Sequence, residues 1–271
     1  CGAVCWMLQG WLPPRWAMLG TILAALQFGV SSYWINSFWG GAPAAIGGAL
    51  ALGALPRLER RRRAGDAVLL GLGLAVVANS RPYEGFLLGI AAAGWVLWKR
   101  LWPRMWPAAL VLAVAAGGMG YYFWRVTGSP FRMPYEVAIG NHAIAPAFVW
   151  QPLRAEPAFR HESVREFHQA LVPAWLDYRT AGGAWRWTWW KILSIGAFYY
   201  GPLMALPLVT FPCLARDRRL RPLVGCGALV LAGSGVVVHF QPHYVAPLTG
   251  LLFVLLAQGL RRLWVWQRWG N

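Results

Sequence analysis

The feature that most constrains this chain is the alternation of long apolar stretches with short arginine-rich runs. AVLLGLGLAVVA and LVGCGALVLAGSGVVVHF are almost purely apolar, whereas Arg57 to Arg63 gathers five arginines. In water such stretches would demand an implausibly large core. In hydrocarbon they are lipid-facing surface, and a helix satisfies its own backbone there. The chain is 58% hydrophobic and 13% charged, against about a quarter charged in a soluble domain. The expected fold is all-α: a polytopic integral membrane protein of about eight transmembrane helices plus a partial N-terminal one. It forms one domain over 1–271, with one long external loop at 126–187.

A net charge of +16 would suit nucleic acid, but its placement excludes that partner. Of 25 Lys and Arg residues, 16 fall in five short connectors: 13–15, 57–65, 99–106, 215–221 and 261–271. Eight alternating spans, 16–34, 43–56, 66–79, 84–98, 107–124, 188–214, 222–239 and 245–260, put all five on one side. By the positive-inside rule that side is the cytoplasm. Residues 35–42, 80–84, 126–187 and 240–244 then face outward, which predicts a multi-pass protein of the cell membrane. Segments 43–56 and 66–79 fall short of the roughly 20 residues of a straight span, so they extend into their flanks or form a re-entrant hairpin. Tryptophans near span ends, Trp95, Trp98, Trp102, Trp106 and Trp185 to Trp190, read as interfacial belts. Cys1, Cys5, Cys213 and Cys226 form no CxxC or Cys/His pattern and read as packing residues. The opening segment 1–12 resembles the tail of a longer helix, so the chain is expected to be a fragment lacking its N-terminal part.

Four polar clusters fall on the predicted outer side. In Asn79-Ser80-Arg81-Pro82-Tyr83-Glu84-Gly85, Pro82 enforces a tight turn between two apolar helices. Arg81 is suited to gripping a phosphate or pyrophosphate through paired hydrogen bonds; alternatively it pairs with Glu84 and pins the turn. His239, Gln241, His243 and Tyr244 form the second cluster, suited to an anionic headgroup, proton transfer or simply fixing a turn. The third is 126–187, with Arg132, Tyr135, His142, Arg160, His161 and Arg165 as candidate acceptor or sugar contacts and an amphipathic stretch at 164–176. Its HESVREFH lacks zincin spacing, because Arg165 stands where the second histidine belongs. The fourth, Tyr33 to Gly41, offers Asn36 and Ser37 to a sugar hydroxyl and Trp39 to a lipid groove, or is an aromatic belt with a glycine turn. Gly85 and Gly89 make a GxxxG pair for close helix packing. No P-loop, dinucleotide fingerprint or Ser/His/Asp signature stands out, and no metal or cofactor is specified; a divalent cation remains compatible with the chemistry below.

The runs YWINSFWGGAPAAIGGALALGALPRL, ANSRPYEGF, SPFRMPYEVAIGNHAIAPAFVWQPLRAEPAFRHESVREFH and HFQPHYVAPLTG resemble bacterial membrane glycosyltransferases of the GT-C class. The resemblance is to the protein mannosyltransferase and lipid A aminoarabinose transferase type. The resemblance implies transfer of a sugar from a polyprenyl-phosphate carrier to an acceptor outside the cytoplasm of the bacterial inner membrane. It also implies a catalytic Asp or Glu in a first external loop, which would lie in the missing N-terminal part. The turn at Asn79, Arg81, Tyr83 and Glu84, with Gln241, His243 and Tyr244, would then border the lipid-phosphate cavity. Two other readings stand beside it: a transporter or flippase of a lipid-linked substrate, which calls for polar residues within the spans and paired repeats, and a non-catalytic membrane scaffold.

Overall fold

The computed structural model describes residues 1–29, 34 and 39–269. Among them the fold is all-α, and β pairing is confined to an isolated bridge between Phe148 and Val237. The helices are α1 (Gly2–Trp11), α2 (Pro14–Gln27), α3 (Gly41–Arg61), α4 (Ala64–Ser80), α5 (Pro82–Trp98), α6 (Trp106–Thr127), α7 (Pro134–His142), α8 (Glu162–Gln169), α9 (Leu171–Tyr178), α10 (Ala181–Tyr200), α11 (Ala205–Arg216), α12 (Arg221–Gly235) and α13 (Thr249–Trp269). Short 3-10 turns lie at Trp102–Arg104, Gly201–Met204 and Pro242–Leu248. The chain divides into two compact units. The first is Cys1–Ala113, Ile195–Ala232 and Pro242–Asn271; the second is Val114–Ser194 and Gly233–Gln241.

In the first unit α3 is the central helix. It starts after Gly40, whose φ of 72° only glycine adopts cheaply, and ends at Arg62 in the left-handed region. Its small residues let it meet α4 backbone to backbone. A Cβ on Gly47 would stand 2.7 Å from the Gly73 carbonyl oxygen, and one on Gly73 would stand 2.6 Å from that of Gly47. Pro56 has no N–H to donate to Leu52, and the Trp11 indole donates to the Leu52 carbonyl instead, at 3.1 Å. A second core forms where Phe28 stacks on Trp34 with ring centroids 4.5 Å apart, against Phe198, Tyr199 and Phe253.

Several sequence expectations change here. The run at 57–61 is helix, not loop: Arg57 is buried, lies 3.9 Å over the Trp6 ring and donates to the Gly53 and Trp6 carbonyls. Trp34 and Trp95 are buried core residues rather than belt residues, Trp95 lying edge-on to Trp11. Trp98, Trp102, Trp106, Trp185, Trp189 and Trp190 are exposed. Cys226 is buried, while Cys1 and Cys213 are exposed and so do not pack. The expected span 188–214 is interrupted between α10 and α11, where left-handed Gly201 precedes Pro202. Among the described residues, the helix in the expected span 16–34 runs to Gln27 and that in 222–239 to Gly235. Among the described residues two segments, Trp106–Thr127 and Pro242–Trp266, are long and apolar enough to cross a membrane, and Ala64–Ser80 is a shorter apolar helix. That is fewer than the eight crossings expected, because the other apolar stretches are broken by Gly and Pro, are shorter, or take arginines into the helix.

Several basic residues of the first unit make ties to neighbouring segments. Arg60 donates to the Gly10 carbonyl at the end of α1, Lys99 pairs with Glu59 at 2.7 Å, and Arg262 pairs with Asp217 at 2.8 Å. In the second unit Ala145, Trp175 and Val238 form a small core with Val149 and Leu171 against it. Residues 147–149 run beside 236–238, with Val149 N–H donating to Val236 and Val238 N–H to Ala147. The amphipathic stretch at 164–176 is two helices, α8 and α9, because Pro173 withholds the N–H that would bond the Gln169 carbonyl.

Candidate functional site

One residue, Arg81, separates α4 from α5. Its N–H closes α4 on the Val77 carbonyl at 2.6 Å, and its own carbonyl accepts the Gly85 N–H at 2.7 Å. The following proline bars it from helical geometry, so its backbone is extended, with φ −144° and ψ 78°. This places its side chain at the end of α4 remote from the arginine run, about 25 Å along the helix.

The guanidinium meets two segments distant in sequence. Nη2 donates to the Trp39 carbonyl at 2.8 Å, and Cζ lies 4.3 Å over the Tyr244 ring. Trp39 and Tyr244 both contact His243, with ring centroids 5.2 and 5.1 Å away, and His243 is buried in the 3-10 turn. Arg81 Nε is buried and makes no hydrogen bond among the described residues. A planar cation stacked on an aromatic face, with N–H groups uncommitted, is the arrangement in which an arginine receives a phosphate oxygen pair. Glu84 is buried in the first turn of α5, where the helix N-terminus favours negative charge. Arg81 forms no ion pair with it, its guanidinium being turned to Trp39 and Tyr244. Asn79 bonds back to the Ala75 carbonyl. A groove of about 380 Å³, lined by Pro43, Leu72, Ala75, Val76, Asn79 and Ser80, reaches the residue just before Arg81. Tyr83 lies half-buried on the first turn of α5.

Two clusters predicted separately, at 79–84 and 243–244, therefore converge, with Trp39 as the third partner. Asn36 and Ser37 lie outside the described residues. The second cluster is divided between the units, Gln241 and His239 falling in the second and His243 and Tyr244 in the first. His239 instead contacts the Phe167 ring. The remaining candidates, Arg132, Tyr135, His142, Arg160, His161 and Arg165, are all exposed on the second unit. Arg165 is engaged by Glu156 at 2.7 Å and Glu162 at 3.7 Å. Among the described residues, no group of three or more His, Cys, Asp or Glu is placed to hold a metal ion.

Lys191 was missed by sequence reasoning. It is buried on α10, and Nζ donates to the carbonyls of Val237, Gly235 and Ser234 at 2.6, 3.0 and 3.1 Å. Its signal was a single cation within an expected span. Fold and site together define an all-helical protein with a cation–aromatic cradle at one end of a helix bundle. No protein-family model, curated protein or solved structure matches the chain.

Proposed function

We propose that the chain is a multi-pass membrane protein whose Arg81 cradle binds the phosphate of a lipid-linked sugar on the outer side of the cell membrane. In this reading it belongs to a glycosyltransferase of the GT-C type that transfers the sugar from a polyprenyl-phosphate carrier to an external acceptor. The observation that carries it is the guanidinium of Arg81, stacked on Tyr244 and bonded to Trp39, with Nε making no hydrogen bond among the described residues and an apolar groove reaching the neighbouring Ser80. The cation receives the phosphate that becomes the leaving group, and the groove takes the start of the isoprenoid chain. Charge held ready at the leaving oxygen stabilises the transition state more than the ground state. The membrane assignment draws support from α6, whose Leu110, Val114, Tyr121, Tyr122 and Trp124 are exposed along an apolar helix of 22 residues.

Arg81→Ala in the full-length protein is expected to weaken donor binding roughly 10- to 100-fold, the worth of charged hydrogen bonds. Arg81→Lys is expected to recover only part of this, since it keeps the charge and loses the planar fork. Isothermal titration with a short-chain polyprenyl-phosphate sugar measures both; wild-type affinity in Arg81→Ala removes the phosphate role.

A further inference from the structure

A second groove, of about 360 Å³, runs along the seam between α5 and α12 in the first unit. Gly94, Trp95 and Trp98 line it from α5, and Arg221, Gly225 and Leu229 from α12. Its shared walls place the last turn of α5 beside the first turn of α12, at the end where the basic connectors gather. Gly94 and Gly225 open it: a Cβ on either would meet nothing within 4 Å. From Arg221 to Leu229 the groove follows about 12 Å of helix, a large part of one leaflet's half of a hydrocarbon core about 30 Å thick.

The single charge on the groove wall is Arg221. It is exposed, its Nε donates to the Ala215 carbonyl at 3.4 Å, and its terminal nitrogens make no hydrogen bond among the described residues. The nearby carboxylate does not neutralise it, because Asp217 accepts from Arg262 at 2.8 Å and from the Arg219 N–H at 3.0 Å. Arg218 and Arg219 add to the positive field beside it.

We propose that this groove seats one acyl chain of an anionic glycerophospholipid, with its phosphate on Arg221. An open, mostly apolar groove running along a helix fits an alkyl chain, with its charge confined to Arg221 at one end. A basic mouth between membrane helices on the arginine side selects a negatively charged headgroup over a zwitterionic one. The inference rests on the membrane residence proposed above and is independent of the transfer reaction.

The whole chain, purified in detergent, is titrated with phosphatidylglycerol and with phosphatidylcholine, and bound lipid is counted by native mass spectrometry. Wild type is expected to retain one phosphatidylglycerol with about tenfold preference. Gly225→Leu and Gly94→Leu fill the groove from opposite walls and abolish that binding. Arg221→Gln keeps a bound lipid and loses the preference for phosphatidylglycerol. Gly89→Leu, at an open position on α5 outside the groove, leaves both unchanged. If Gly225→Leu shows no cooperative melt by circular dichroism, Gly94→Leu and Arg221→Gln decide. Wild-type lipid occupancy in the filled variants, or an intact preference in Arg221→Gln, overturns the proposal. Membrane residence is read separately by flotation with pure phosphatidylcholine vesicles. A chain that floats but shows no preference for phosphatidylglycerol loses the groove inference alone, and a chain that does not float loses both.

Discussion

At Lys191 an ammonium group is held by carbonyls rather than carboxylates. Three backbone oxygens at the end of α12 and just beyond it, with the Tyr178 hydroxyl at 3.3 Å, saturate its donors, and Phe240 lies 5.4 Å away. The carbonyls that a helix C-terminus leaves open attract a cation, so this lysine works as a cap supplied from another helix. Lys191→Met keeps the length of the side chain and removes the donors. It is expected to lower stability by about 2–3 kcal/mol, since buried carbonyls then lose their partners, as thermal unfolding in detergent would register. Arg81 shows how much of such a site can be read beforehand. Its place at a tight turn was legible because arginine followed by proline between two apolar runs has few places to go. Its partners were not, because Trp39 and Tyr244 are distant in sequence, and Glu84, the nearest candidate, lost the guanidinium to them.

The α3–α4 hairpin is held by absent side chains. Gly73→Leu would drive a side chain into the Gly47 carbonyl and the Ala51 amide, both within 2.6 Å of a new Cβ. A loss on the order of 3 kcal/mol is expected from such overpacking, against little change for Gly89→Leu, which faces open space; melts of both variants test this. The GxxxG spacing at Gly85 and Gly89 was readable as a packing signal, yet only Gly85 approaches another backbone, that of Ala78. Spacing shows which residues share a face, not which turn the neighbour reaches. In the second unit His168 stacks on Phe159 and meets Phe167 edge-on. Burial first, and His142 second, hold its imidazole below the ordinary histidine range; burial and His168 do the same to His239. A lowered folded value means that the unfolded chain takes up the proton more readily. The second unit is therefore expected to keep its full stability above about pH 6.5 and to lose part of it as pH falls through the unfolded pKa. Limited proteolysis across pH 5 to 8 checks this, with His168→Phe flattening the step.

For the molecule as a whole, composition made the helical class plain, since long apolar stretches satisfy their own backbone as helices. Span count was less legible. Apolar length alone hid the break at Gly201 and Pro202, and it hid the continuation of α3 through Pro56 into the arginine run, where Trp11 takes the orphaned Leu52 carbonyl. A charge run reads as solvated loop until a neighbouring aromatic such as Trp6 offers Arg57 a buried face. Some of the cations instead make local ties, which join Gly10 to Arg60, Glu59 to Lys99 and Asp217 to Arg262. At the other end, the joint between α4 and α5 has a length of one residue. Such a joint has no slack, so the two helices swing together or not at all, and the arginine rides on a rigid elbow. In the proposed reading, room for a bulky headgroup therefore comes from the opposite jaw, formed by Trp39 and the 3-10 turn that carries Tyr244.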